Sequence, residues 1–338
     1  MILTVTPNPT IDRVVFVRHF QLGRIARGER EVVGPSGKGV DASMVIHELG
    51  GKTVALGFTA GFEGRHHSEL MNERGLEHDF VSAKGYTREA LVLVDTAAAK
   101  QSTITASTLN ANTDHGAELV RRIQRLASRA WGAIFAGSLP AGLPEDAYAR
   151  WLDAAQGAGL VTLLDTSGQP LREGIRGGPH YLKINLRELK ALVGAPAGIE
   201  DYPCCGASSG RKSPLSGVEA YADDDGLKSL TERLVSQLGN WAREAIIVTL
   251  GQHGVLAVTT EGHFVARPPE VEPVNTAGAG DAVAGGLMLH RSRGEGWPSA
   301  LRVGIAAAAS VVSGPRTGVC RRDEVEALAP QVTIQRID

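Results

Sequence analysis

Short runs of β-branched and aliphatic residues alternate along this chain with longer stretches whose apolar positions recur every third or fourth residue. The first kind predicts strands over residues 2–5, 53–58, 133–137, 161–165, 181–184 and 245–250. The second predicts amphipathic helices over 40–49, 66–74, 118–128, 145–155, 186–193 and 227–241. Strand and helix taking turns in this way implies a doubly wound α/β fold: a mostly parallel sheet flanked by helices.

Two regions break the alternation. Residues 13–33 and 86–106 carry extended stretches such as Arg13-Val14-Val15-Phe16-Val17 and Ala90-Leu91-Val92-Leu93-Val94, with no helix of their own. Together they predict a small antiparallel β-sheet outside the main layers, placed as a lid over the carboxyl ends of the parallel strands; the chain length itself allows one large α/β domain or two smaller ones. Ligands of such folds sit at those strand ends, and a lid there excludes water. An exposed lid sheet also has edges and an apolar face to cover, which makes a homodimer joined through the lid sheets plausible.

Composition narrows the class. The 338 residues are 43% hydrophobic and 21% charged, as in an ordinary globular protein with a large core. A formal charge of -2 speaks against a broad nucleic-acid footprint. No apolar run reaches the length of a membrane span, the longest being the alanine-rich 303–313. The N-terminus shows no charged region followed by a cleavage site, and the three cysteines are an odd number, so a reducing, cytoplasmic location is expected. Cys204-Cys205 lies in a polar, Gly/Pro/Ser-rich segment, 195–226, read as a surface loop; no cysteine has zinc-site spacing. His66-His67 reads as a solvated helix surface rather than a ligand pair.

The chemistry concentrates in turns that open helices. Asn275-Thr276-Ala277-Gly278-Ala279-Gly280-Asp281 runs into a small-residue helix. Its glycines let the backbone approach an anion, and the unpaired N–H groups of the helix start point at it. Asp281 beside a phosphate would be repelled unless it takes a proton from the attacking group; alternatively it merely favours the positive helix end. Gly34-Pro35-Ser36-Gly37-Lys38-Gly39-Val40-Asp41 is a second Gly-rich turn into a helix, lacking the glycine at 32 and the hydroxyl at 39 of a P-loop. In Asn185-Leu186-Arg187-Glu188 the two polar residues share a helical face; they suit a hydrated Mg²⁺ held through water, and equally a capping box. Thr249-Leu250-Gly251-Gln252-His253-Gly254 could let a flat base lie on the backbone or could be a simple hairpin turn, and Gly137-Ser138-Leu139-Pro140 exposes a hydroxyl at a strand end.

Taken in order, Thr6-Pro7-Asn8-Pro9-Thr10-Ile11-Asp12, Gly37-Lys38-Gly39, Gly137-Ser138-Leu139-Pro140, Asn185-x-x-Glu188 and Gly278-Ala279-Gly280-Asp281 resemble the ribokinase-like (PfkB) carbohydrate kinases across the whole chain. The opening motif and Thr87-Arg88 are most similar to the branch of 1-phosphofructokinase, tagatose-6-phosphate kinase and the minor 6-phosphofructokinase. The resemblance implies a single ribokinase-like domain spanning 1–338, and an ATP- and Mg²⁺-dependent kinase acting on a hydroxyl of a sugar or sugar phosphate. By it, Asp281 is the base, and the backbone of Gly278, Ala279, Gly280 and Asp281 holds the transferred phosphoryl group. Asp12, Gly37, Lys38, Gly39, Asp41 and Ser138 line the acceptor side, with Arg88 descending from the lid to a substrate phosphate. Lys183, Asn185, Thr249, Gly251 and Gly254 border the nucleotide, and Asn185 and Glu188 position Mg²⁺ through water.

Kinases of that branch usually have glycine where Ser36 stands, and asparagine where Asp41 and Ala90 stand. The departures fall on the acceptor side, so a neutral sugar, polyol or nucleoside remains an alternative acceptor. A sugar- or nucleotide-binding protein with weak catalysis is the alternative from another class.

Overall fold

A computed structural model describes residues 1–98, 100–193 and 224–337. Cys204-Cys205 and the segment 195–223 lie outside the described residues. The chain begins with β1 (Ile2–Thr6), β2 (Thr10–Val17), β3 (Arg30–Ser36), α1 (Lys38–Glu48), β4 (Thr53–Thr59) and α2 (Gly61–Glu73). Next come β5 (His78–Ser82), β6 (Lys84–Gly85), β7 (Arg88–Asp95), β8 (Lys100–Thr105), β9 (Leu109–Asn110) and α3 (Thr113–Ala127). The middle holds β10 (Gly132–Ala136), α4 (Ala147–Gly157), β11 (Val161–Asp165), α5 (Gly168–Ile175), β12 (Tyr181–Asn185) and α6 (Leu186–Val193). After them follow α7 (Asp224–Val235), β13 (Ala245–Thr249), β14 (Val255–Thr259), β15 (Gly262–Arg267), α8 (Ala279–Ser292), α9 (Trp297–Ser313), α10 (Arg322–Leu328) and β16 (Thr333–Ile337).

The main sheet runs β16-β15-β14-β13-β12-β11-β10-β1-β4-β5, parallel from β5 to β13 and antiparallel beyond. Helices cover both faces, so central strands are buried on both sides. In β10, Ala133 and Phe135 pack with α3 and α4, while Ile134 and Ala136 pack with α1, α8 and α9. The alanine-rich run too short for a membrane is the core of α9. There Gly304 lets α9 approach Gly286 of α8 so closely that a Cβ on Gly286 would lie 2.9 Å from the Gly304 Cα. Among the described residues no helix is long and apolar enough to cross a membrane.

The two irregular regions meet in a second sheet of order β3-β2-β7-β8. It is not wholly antiparallel as expected: β2 and β7 run parallel. The chain goes out along β2, returns in β3, then passes through α1, β4, α2 and β5 before going out again in β7. Val14, Phe16, Val92 and Val94 form one buried face of this sheet.

Other differences are local. Helix α2 begins at Gly61 and α3 at Thr113, earlier than their apolar periodicity shows. The first turn of α3 is set by Asn112, whose side chain accepts from the His115 N–H at 3.1 Å while His115 Nδ1 accepts from the Asn112 N–H. Residues 224–226, read as the end of a loop, open α7. His67 is not solvated: it is fully buried, edge-on to Phe80 and against the Ser36 backbone.

Candidate active site

Strand order reverses between β1 and β10, since the chain builds outward from β1 through β4 to β5 and then, on the other side, from β10 to β13. A crevice opens at the carboxyl ends of strands flanking such a reversal. Six pieces singled out in the sequence stand there: the turn after β1, Gly37-Lys38-Gly39 at the start of α1, Gly137-Ser138 after β10, Asn185 ending β12, Thr249 ending β13, and Gly278–Asp281 opening α8. The last residue of β11, Asp165, joins them.

Asp165 was not among the sequence candidates, and it organises the centre. It is fully buried, with one carboxylate oxygen bonded to Lys38 Nζ at 2.6 Å and the other to Lys183 Nζ. Burial would raise the Asp165 carboxyl, but Lys183 and Lys38 hold it below its ordinary value. The Lys38 ammonium, which burial pulls down, is held up by Asp165, Glu188 and Asp281. Thus two cations from different elements are fixed on one anion at the floor of the crevice. The only sequence signal for this was a strand ending in an acid, a common pattern.

Above that floor lies the helix start of α8. Gly278 has φ +85°, and a Cβ there would lie 2.5 Å from the Gly318 N, so only glycine fits. Ala279 N–H makes just a long 3.5 Å bond to the Thr276 carbonyl, leaving the helix start with donors to spare. A Cβ on Gly280 would lie 3.2 Å from Lys183 Nζ, so the lysine stands beside these donors. Asp281 is 9% exposed, and its carboxyl is pushed up to about 7 by burial and by Asp165, against the pull of Lys38 and Lys183.

On the other side of Asp281 the crevice carries Asp41 and Asp12. Asp41 Oδ2 accepts from Ser36 Oγ at 3.2 Å, and its Oδ1 has no partner. Burial, then Asp281 and Asp12, raise the Asp41 carboxyl well above the usual range. Asp12 is likewise raised by burial, less so because Thr317, Ser36 and Arg88 favour its charge. Arg88 donates to the Asn8 carbonyl at 3.1 Å, and its buried Nε has no partner. Asn8 Nδ2 in turn donates to Ser138 Oγ at 3.3 Å. Thr87 tethers this corner by accepting from the Ala60 N–H at 3.0 Å.

Asn185 and Glu188 do form a capping box: the Asn185 N–H donates to Glu188 at 2.8 Å and the Glu188 N–H to Asn185 Oδ1 at 2.9 Å. Glu188 Oε1 is outside that box and 3.7 Å from Lys38 Nζ. Among the described residues no group of three His, Cys, Asp or Glu could cage a metal ion. Glu188 Oε1, which shares Lys38 with Asp165, is the carboxylate oxygen left outside the box and suits a hydrated cation held through waters. Thr249 ends β13, and Gly251 to His253 form one tight 3₁₀ turn leading by Gly254 into β14, so the segment is a hairpin turn at the crevice rim. Gly251 is exposed and Gly254 buried.

A three-layered α/β/α fold whose crevice carries a glycine-opened helix start, a buried carboxyl and paired lysines has the make-up of a phosphotransferase. The chain matches the model of the pfkB family carbohydrate kinases over residues 6–324 and belongs to that family. It is a kinase with an alcohol group as acceptor and ATP as the phosphate donor that the family implies. It is 27% identical to 1-phosphofructokinase of Bacillus subtilis (strain 168), covering 100% of both chains. With 1-phosphofructokinase of Escherichia coli (strain K12) it shares 26% identity, over 99% of this chain and 98% of that one. The fold matches phosphofructokinase-2 from Escherichia coli in complex with potassium, with TM-score 0.82, 24% identity and 98% of each chain covered. It also matches a possible 1-phosphofructokinase from Thermotoga maritima, with TM-score 0.81, 22% identity and 100% of each chain covered.

Proposed function

We propose that this kinase phosphorylates the free hydroxymethyl group of a fructose 1-phosphate-type sugar phosphate, with Asp281 as the general base. The observation that carries the base assignment is the placement of Asp281: buried, the third residue of α8, between the lysine pair and the Asp12–Asp41 side of the crevice. A carboxyl poised at about 7 accepts a proton from a hydroxyl while remaining largely ionised just above neutrality. As the acceptor oxygen bonds to the γ-phosphorus, the bond from phosphorus to the β,γ-bridging oxygen breaks and ADP leaves. The N–H groups of Ala279, Gly280 and Asp281 then face the charge on the transferred group, with Lys183 beside them.

Asp12, Asp41, Gly37, Lys38, Gly39 and Ser138 hold sugar hydroxyls, and Arg88, whose Nε is unused, faces the acceptor's phosphate. Lys183, Asn185, Thr249, Gly251 and Gly254 border ATP. Asn185 and Glu188 would hold Mg²⁺ through its waters, and the ion would supply charge neutralisation on the nucleotide phosphates. The second sheet would act as the lid, and Leu22 and Ile25, 94% and 96% exposed on the β2–β3 connection, favour pairing with a second copy through it. The test is ADP release with Mg-ATP across fructose 1-phosphate, fructose 6-phosphate, tagatose 6-phosphate, free hexoses and nucleosides, with Asp281→Asn as control. Turnover confined to phosphosugars is expected; turnover confined to neutral acceptors overturns the substrate assignment.

A further inference from the structure

Behind the crevice, two hydroxyls converge on one backbone oxygen. Tyr148 Oη, on α4, donates to the Gly137 carbonyl at 2.8 Å, and Thr166 Oγ1, one residue beyond β11, donates to the same carbonyl at 2.7 Å. The Gly137 N–H is held as well, donating to the Asp165 carbonyl at 3.0 Å. Tyr148 and Thr166 are both buried, and neither belongs to a motif discussed above. We propose that Tyr148 and Thr166 are positioning residues for the acceptor: by fixing the Gly137 carbonyl they aim the Ser138 N–H at a sugar hydroxyl, beside the Ser138 Oγ. This rests on the reading that Ser138 stands on the acceptor side.

Three observations carry the assignment. First, a single donor already relieves a buried carbonyl of most of its desolvation cost, so a second one adds chiefly direction. Second, the residue so fixed is a glycine at φ +105°, and a Cβ there would meet nothing within 4 Å. Glycine is therefore needed at 137 for its backbone conformation and not for close packing, and the peptide of such a residue turns easily unless it is held. Third, a trans peptide sets its N–H opposite its carbonyl. With the carbonyl drawn towards α4 and the end of β11, the Ser138 N–H faces the other way, and among the described residues nothing accepts from it.

The hydroxyl of exposed Ser138 is set from the opposite side. Asn8, in the turn after β1, donates to Ser138 Oγ at 3.3 Å, so that oxygen accepts from the protein and keeps its own proton to give. One residue thus offers two neutral donors where the strand order reverses between β1 and β10. Neutral donors suit a hydroxyl oxygen. Without the two anchors the Gly137 carbonyl would be buried unpaired. Turning the glycine peptide relieves this by pointing the carbonyl into the crevice, where it replaces the N–H.

The test compares the parent with Tyr148→Phe, Thr166→Val, the double variant and Thr166→Ser. Phenylalanine keeps the ring against Trp151, whose centroid is 5.4 Å away, and serine keeps the hydroxyl. The KM for the acceptor should rise about 2- to 10-fold in Tyr148→Phe and in Thr166→Val, and about 10-fold or more in the double variant. Thr166→Ser should match the parent, and the KM for ATP should not move. Across monodeoxy analogues of the acceptor, parent and double variant should converge on one KM for the analogue that lacks the hydroxyl held by the peptide, an outcome that general structural damage does not produce. An unchanged acceptor KM in the double variant, an equal rise for ATP, or the absence of any such analogue overturns the positioning role. Should the double variant fail to fold, the two single variants carry the same comparisons. If the parent turns over only neutral acceptors, the sugar-phosphate reading fails by itself, and the same KM ratios are measured with the neutral acceptor and its deoxy analogues. If it turns over none and calorimetry shows no sugar binding, both fall.

Discussion

Replacing Asp281 by asparagine should cripple the enzyme and stabilise the protein. In the folded chain the Asp281 carboxyl lies at about 7 against an ordinary 3.8, because burial and Asp165 outweigh Lys38 and Lys183. At about 1.36 kcal/mol per pH unit this displacement corresponds to at most about 4 kcal/mol. A raised acid favours the protonated folded state, so its contribution to stability is fully present below 3.8 and lost as pH rises through about 7. Asparagine cannot ionise and escapes that loss. Urea unfolding of parent and Asp281→Asn should therefore agree near pH 4 and diverge by up to about 4 kcal/mol in favour of the variant at about pH 8. ADP release should show the converse, with kcat down by about 10²- to 10⁴-fold and nucleotide affinity little changed. In the parent, kcat/KM should fall about tenfold per pH unit below about 7. A variant less stable than the parent at pH 8, or a parent rate flat across neutrality, would refute the reasoning.

Three further outcomes follow from the same geometry. Arg88→Ala should raise the KM for a phosphorylated acceptor more than for a neutral one, measured side by side; equal increases would mean that Arg88 serves only the Asn8 carbonyl. Asp165→Asn leaves Lys38 and Lys183 without their shared anion and should cost about 3–5 kcal/mol by denaturant unfolding. Since the Asp165 carboxyl is depressed, that gap should persist above the unfolded pKa and close only as pH falls through the lower folded value; a gap closing near neutrality would contradict it. Burial lowers His67 from 6.5 to about 4, so protonation of the unfolded chain should remove up to about 3 kcal/mol of stability between those values, and His67→Leu should flatten that acid limb; an unchanged limb would assign it to other groups.

How much of this was legible in the chain differs by element. The central strands were readable because each is a short apolar run covered on both faces, and β11 was predicted to the residue. Helices α2 and α3 were read short because glycine, cap and polar residues carry their first turns, where apolar periodicity has no signal. The parallel pairing of β2 with β7 had no local signature at all, since it follows from where the intervening β4 and β5 dock. His67 was misread because its buried position depends on Phe80 and β3 meeting α2, not on its own neighbours in sequence.

The site divides the same way. Turns that open helices are local objects, made by glycine conformations and unpaired N–H groups within a few residues, and so Gly278–Asp281, Gly37–Gly39 and the Asn185–Glu188 box stood out as sequence. What each turn faces is a long-range matter. Asp165 became the anchor of two lysines, and Asp281 acquired a pKa near neutrality, only when α1, β11, β12 and α8 closed on one crevice. Charge interactions and desolvation depend on distance through space, and sequence spacing does not encode that distance until the fold has set it.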